Sequence, residues 1–197
     1  MIFIRHRVNT VSELRNCTTE EGAEIDLRSN PSQPGRLHLA HNPWTKGEDF
    51  EDWITVFKSR GLKGPLVLNT KEDLLEDRAI EICKSAGVES FLFLDTTSPT
   101  LVRWARSDLA PRFFVRISRF EPLEAALQLP NGITWAWLDC FDGEPLDLEV
   151  VKRVRGRFKV CLVSPELHGK PLDSIAAFTH LTAFADAVCT KAPDRWR

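Results

Sequence analysis

Nine short runs of β-branched, aromatic or aliphatic residues punctuate the chain, and between several of them the apolar period shifts from two to about 3.6. The runs are Ile2–His6, Ala23–Arg28, Leu37–His41, Pro65–Asn69, Ser90–Asp95, Arg112–Ile117, Ile133–Leu138, Lys159–Val163 and Ala185–Thr190. Helical spacing is clearest over Gly47–Arg60, where Phe50, Trp53, Ile54 and Phe57 share a stripe, and over Glu72–Ala86, which Gly87 stops. Ser98-Pro99 reads as a cap with a first-turn proline, Leu148, Val151 and Val154 mark a helix ended by Gly156, and Ile175, Phe178 and Leu181 mark the last one. Such alternation demands a mostly parallel sheet with helices outside it. Leu37–His41 follows the second strand too closely for a crossover, so it reads as an extension or hairpin arm. Eight strands then remain, the number of a compact (β/α)8 TIM barrel lacking a full last helix after Thr190 and filling one domain over 1–197. An open doubly wound sheet is the competing architecture.

Hydrophobic residues make up 43% and charged residues 27% of the 197, enough for one real core. A net charge of -2 gives no footprint for nucleic acid. Basic residues gather over Arg103–Arg119 and Lys152–Lys159 but are interleaved with acids, as on solvated helix faces or at anion contacts. The five cysteines are scattered without a CxxC pair, as expected of free thiols in a reducing compartment. No apolar run approaches the roughly 20 residues of a membrane helix, and a strand begins almost at once, leaving no room for a signal peptide. The expectation is a cytoplasmic protein without a transmembrane segment.

Two of the strands carry charges that a plain structural strand has no use for. Phe3-Ile4-Arg5 runs into His6-Arg7, and Ala23–Arg28 contains Glu24 and Asp26, two apart and therefore on one face of the pleat. Two like charges on a buried face are costly unless a cation lies between them. In a parallel barrel the site forms at the carboxyl ends of the strands. Those ends hold His6, Arg7, Glu24, Asp26, Arg28, His41, Asn69, Lys71, Asp95, Arg116, Arg119, Asp139, Ser164, Glu166 and Lys191, an ionisable ring of both signs. His38, Trp44, Trp53 and Trp104 read as packing residues, and His168 as a strand-end residue able to line the pocket.

This ordered set resembles the glycerophosphodiester phosphodiesterases, barrels of the superfamily that includes phosphatidylinositol-specific phospholipases C. The resembling pieces are His6-Arg7-Val8-Asn9-Thr10, Gly22-Ala23-Glu24-Ile25-Asp26, Leu39-Ala40-His41-Asn42, Asn69-Thr70-Lys71 and Ala185–Pro193. The resemblance is densest over residues 1–71 and vague from about 90 to 180. It implies a small phosphodiester substrate and a divalent cation, Mg²⁺ or Ca²⁺, bound by Glu24, Asp26 and Asn69. It implies His6 and His41 as general acid and base, and Arg7 and Lys71 at the phosphate. A hydroxyl beside the diester would attack phosphorus, and water would then open the cyclic product. The chain departs from the family pattern at four points. Asn69 stands for a third metal-binding carboxylate, Asn42 for an aspartate after the second histidine, and Val8 for a glycine, adding bulk near the phosphate. The family's tryptophan near the seventh strand is also absent, with Trp135 and Trp137 placed to replace its apolar wall, and Glu166 or Asp139 to supply an acid.

Two other readings stay open. The barrel could bind a phosphorylated ligand or a partner without catalysis, or it could be a sugar-phosphate isomerase or aldolase that uses Lys71 or Lys191 as a base or Schiff-base amine.

Overall fold

The structure, a computed structural model, describes residues 1–197. Its elements in chain order are β1 (Ile2–Arg5), α1 (Val11–Arg15), β2 (Gly22–Ser29), β3 (Leu37–Leu39), β4 (Glu48–Asp49), α2 (Phe50–Arg60), β5 (Leu66–Thr70), α3 (Glu76–Ser85), β6 (Phe91–Leu94), α4 (Ser98–Trp104), β7 (Phe114–Ile117), α5 (Leu123–Leu127), β8 (Trp135–Leu138), α6 (Leu148–Arg155), β9 (Lys159–Val163) and β10 (Ala187–Thr190). β1 pairs in parallel with both β2 and β10, β2 with β5, β5 with β6, and β7 through β8 and β9 to β10. A parallel bridge from Phe93 to Phe113 joins β6 to the approach of β7, so the eight parallel strands close on themselves. The fold is a (β/α)8 barrel rather than an open sheet. β3 and β4 form the side arm, antiparallel to β2 and to each other.

Register assigns the inward face. Ile4 lies beside Gly22 and Cys189, Glu24 beside Val67, Asp26 beside Asn69, and Arg116 beside Trp137. The interior is packed unevenly, with Phe114, Trp135 and Trp137 on one side and Gly22 and Ala187 on the other. A side chain on Gly22 would meet the Pro65 carbonyl at 2.4 Å, so β2 and β5 approach as closely as glycine permits. Trp137 is buried inside the barrel and Trp135 lies half-buried at the end opposite the mouth; neither walls the mouth in place of the missing tryptophan. Ile25 and Leu27 face the other way and are fully buried under the helices.

Three elements differ from the sequence pattern, α3 starting at Glu76 and not Glu72 because Leu74 is left-handed with φ of 68°, and two others for equally local reasons. Glu48 and Asp49 pair with β3, so α2 starts at Phe50 with Asp49 as its N-cap. The segment Leu172–Phe184 is a 3₁₀ helix rather than an α-helix. Its apolar residues Leu172, Ile175, Phe178, Leu181 and Phe184 recur every third position, the period at which 3₁₀ side chains eclipse. β10 is followed by a single 3₁₀ turn, Pro193–Arg195, where a full eighth helix would stand.

The Asp49 cap ties the arm to the barrel. Its Oδ1 accepts from the amides of Glu51 and Asp52 at 2.9 and 3.2 Å, and its carboxylate takes a two-pronged contact from Arg36 at 2.7 and 2.8 Å. Asp49→Ala is expected to cost about 1–2 kcal/mol, mostly from the cap because the Arg36 pair is partly exposed. Thermal melting should show a fall of a few degrees, and an unchanged midpoint would remove the cap from the account.

Candidate active site

Glu24 and Asp26 rise from β2 on its inward face, both fully buried. Each is held by donors from the loop after β1. The Arg7 amide donates to Glu24 Oε2 at 2.8 Å. Asn9 clamps Asp26 twice, its Nδ2 donating to Oδ2 and its Oδ1 accepting from the Asp26 amide, both at 2.8 Å. From β5, Asn69 Nδ2 donates to Glu24 Oε1 at 2.9 Å, and just past its end Lys71 Nζ lies 3.1 Å from Asp26 Oδ1. Asn9 carries no role in the sequence reading; the signal was its place in His6-Arg7-Val8-Asn9, three residues past a strand-end histidine.

Arg7 joins this cluster because its backbone is left-handed, with φ of 54°. A regular strand would send Arg7 and His6 to opposite faces. The turn instead brings the Arg7 guanidinium to 3.8 Å from Asp26 Oδ2 and 2.5 Å from His41 Nε2, while His6 Nε2 stays 3.8 Å from Glu24 Oε2. Such a conformation costs of order 1 kcal/mol or more and persists only where contacts over-determine it, here the amide bond to Glu24. His41 Nδ1 faces Asn42 Oδ1 at 2.9 Å, so Asn42 orients the ring as an acid there would. Val8 is buried in the core, and its bulk lies there and not against the site.

The electrostatics follow from burial. Desolvation, then the neighbouring Arg7, Lys191 and Lys71, hold the His6 imidazole down at about 3, so it is neutral near pH 7. Burial first, and the Asp26 charge second, push the Glu24 carboxyl above the usual range, against the bonds from Arg7 and Asn69.

A chain of charges continues around the mouth. Lys71 Nζ is 3.7 Å from Asp95, whose carboxylate takes Arg116 at 2.5 Å; Arg116 also reaches Asp139 at 3.5 Å, and Asp139 holds His168 Nε2 at 2.7 Å. Asp95 also has positive φ, 63°, which turns it into this chain. Lys71 is thus gripped by two carboxylates, unlike the apolar pocket that a Schiff-base lysine needs. Glu166 accepts from Thr190 Oγ1 and the Lys191 amide at 2.6 and 3.0 Å, bracing the loop after β10. Arg119 turns away to Asp142, while Arg28 pairs with Glu72 and donates from Nη2 to the His41 carbonyl at 2.9 Å. All five cysteines are free and buried.

The cation that the resemblance implies can be tested against the donor atoms. Asn69 Oδ1 is sealed from solvent with no hydrogen-bond partner, and Asp26 Oδ1 accepts no well-formed hydrogen bond despite the nearby ammonium. With the Glu24 oxygens, Asp26 Oδ1 gives a carboxylate set with spare lone pairs, the donor chemistry of a hard divalent ion, and Asn69, which presents Nδ2 to Glu24 Oε1, would bring its oxygen to that side by a flip of the amide. The residues fit such an ion.

No family model matches the chain, and no curated protein matches it in sequence. Solved structures do. A glycerophosphodiester phosphodiesterase from Parabacteroides distasonis superposes with a TM-score of 0.64 at 13% identity, covering 98% of this chain and 94% of the other. A protein from Galdieria sulphuraria, provisionally assigned the same activity, gives 0.71 at 14%, covering 98% and 95%. A glycerophosphoryl diester phosphodiesterase from Parabacteroides distasonis gives 0.65 at 14%, covering 99% and 84%. No helix here is long and apolar enough to cross a membrane. The chain shares the barrel fold of these glycerophosphodiester phosphodiesterases, the family that its motifs resemble.

Proposed function

We propose that the protein is a metal-dependent phosphodiesterase acting on a small glycerophosphodiester-like substrate with a free hydroxyl beside the diester. One observation carries the reading: two buried carboxylates on one strand face, with the His6 imidazole 3.8 Å from Glu24 and the guanidinium of an Arg7–His41 pair 3.8 Å from Asp26. A divalent ion, Mg²⁺ or Ca²⁺, held by Glu24, Asp26 and Asn69 would neutralise charge on a phosphoryl oxygen. His6, kept unprotonated by burial, accepts the proton of the attacking hydroxyl. The Arg7 fork binds the diester, and that oxygen displaces His41 from the guanidinium. Once freed, His41 Nε2 takes a proton from solvent and gives it to the leaving oxygen, its ring held by the Nδ1 contact to Asn42. Lys71 adds positive charge to the same field.

The test is release of glycerol phosphate or the free alcohol from glycerophosphodiesters, with EDTA and with Mg²⁺ or Ca²⁺ restored. Activity that EDTA abolishes and the ion restores is the expected result; no turnover with any divalent ion defeats the reading. Asn69→Asp adds a third charged ligand and should lower the ion concentration for half-activation about tenfold. The same change should lower the melting temperature in EDTA, by adding a buried charge, and raise it with the ion present. A flat response in both would take position 69 out of the metal site.

Lys71 bound at Asp26 and an amide at position 69 favour a second reading, in which the site holds a phosphorylated ligand without turnover. That reading predicts thermal stabilisation by phosphodiesters and no product.

A further inference from the structure

In the closed ring of parallel strands β8 stands directly opposite β2, and a second cluster of ligating side chains gathers there, away from Glu24 and Asp26. Asp139 and Cys140 follow β8, and His168 ends the 3₁₀ turn Pro165–His168 that follows β9. A carboxylate oxygen, a sulfur and a ring nitrogen, one from each, all lie within 4.8 Å of one another. Nowhere else in the chain do three histidine, cysteine or acidic groups converge in this way.

The surroundings hold these three groups in place. His168 Nε2 and the Cys140 amide meet Asp139 Oδ1 at 2.7 and 2.9 Å, while Arg116 Nη1 lies 3.5 Å from Oδ2. The carboxylate is thus steadied from its outer side, as ligating carboxylates are. Phe141 packs edge-on against the His168 ring at 5.4 Å and limits its rotation. An ordinary ion pair accounts for His168 and Asp139 but not for the sulfur beside them. Cys140 is 4% exposed, and its thiol has only the Val163 carbonyl as a partner, at 3.3 Å. Burial first, then Asp139, Asp142 and Glu166, push that thiol up to about 12. Surroundings that are buried and negative disfavour a bare thiolate and favour a dication that takes the place of its proton. None of the other four cysteines meets two further ligating groups.

Mg²⁺ and Ca²⁺ call for oxygen ligands, whereas Zn²⁺ takes sulfur, nitrogen and oxygen together in a tetrahedron. We propose that Asp139, Cys140 and His168 form a Zn²⁺ site, with water as the fourth ligand, that pins the loop after β8 to the turn after β9. On binding, the thiol S–H bond breaks and its proton leaves to solvent, while the imidazole coordinates in its neutral form. His168 keeps 22% of its side chain exposed, which gives the ion a way in. The site is independent of the phosphodiesterase reading, and its ion differs in class from the one proposed at β2.

The experiment adds Co²⁺, a coloured stand-in for Zn²⁺, to the reduced, metal-stripped protein and to its Glu24→Gln variant, in which the β2 acids are weakened. One equivalent of Co²⁺ should produce a thiolate-to-cobalt charge-transfer band in both, and Zn²⁺ should bleach it. The band should vanish in Cys140→Ala. His168→Ala, at a partly exposed position where folding is not at stake, should weaken Zn²⁺ binding by more than about tenfold. Zn²⁺ should also raise the melting temperature of the Glu24→Gln protein by a few degrees, and lose that effect once Cys140→Ala is added. No band with excess Co²⁺, or a band that persists in both Cys140→Ala and His168→Ala, overturns the site. Zn²⁺ binding that survives those two changes but disappears in Glu24→Gln assigns the ion to β2 and overturns it equally.

Discussion

His6→Gln is expected to lower kcat/KM by about a thousandfold while leaving the melting temperature within a few degrees of the parent. The imidazole is largely enclosed, and its Nδ1 has no partner, so folding gains little from it beyond packing. In the proposed mechanism its value lies in being a neutral base beside the phosphate. Desolvation and the positive charges of Arg7, Lys191 and Lys71 keep the proton off it down to about pH 3, so the acid limb of the rate profile should fall well below the usual histidine range. Linkage gives the same group a stability signature. The unfolded chain binds a proton near pH 6.5 that the folded chain refuses until about 3, so His6 contributes stability above 6.5 that is lost as pH falls through that window. The glutamine variant should lack this component. Retention of more than a tenth of the activity would remove His6 from the chemistry.

Much of the barrel was legible because each parallel strand is short, β-branched or aromatic, and bounded by a helical pattern. Lys159–Val163 has the bounds that its sequence suggests, and the Leu37 run is the arm that its short connection required. The site was legible where alternation alone decides orientation, as for Glu24 and Asp26. It was illegible where backbone leaves the alternation. Arg7 and Asp95 were legible as strand-end residues, but not the positive φ that aims their side chains into the mouth. Nor does spacing reveal that Asp139 and His168, 29 residues apart, meet at 2.7 Å. Trp44 misled for a plain reason: aromatic residues are usually packed, and only the fold shows that this one is left in solvent, 93% exposed.

Glu24→Gln should abolish activity and at the same time stabilise the metal-free protein, by about 1–2 kcal/mol or a few degrees in melting temperature. The wild-type carboxylate is fully buried beside Asp26, with only neutral donors of its own, the Arg7 amide and the Asn69 amide. Glutamine keeps both contacts without the charge. Its oxygen accepts from Arg7, its amide turns toward Asn69, and Asn69 flips to present Oδ1, the atom now unpartnered. The sign in pH follows from the raised carboxyl. Between the ordinary glutamate value of 4.5 and its higher folded value, the native state holds a proton that the unfolded state has released. Glu24 therefore lowers stability as pH climbs through that interval, and the variant's advantage should grow from about pH 4.5 upward in EDTA. Added Mg²⁺ or Ca²⁺ should reverse the order, stabilising the parent and leaving the glutamine protein unmoved. A variant less stable than the parent in EDTA at neutral pH would show that Glu24 is a structural anchor satisfied by its neighbours, and the case for a cation on β2 would go with it.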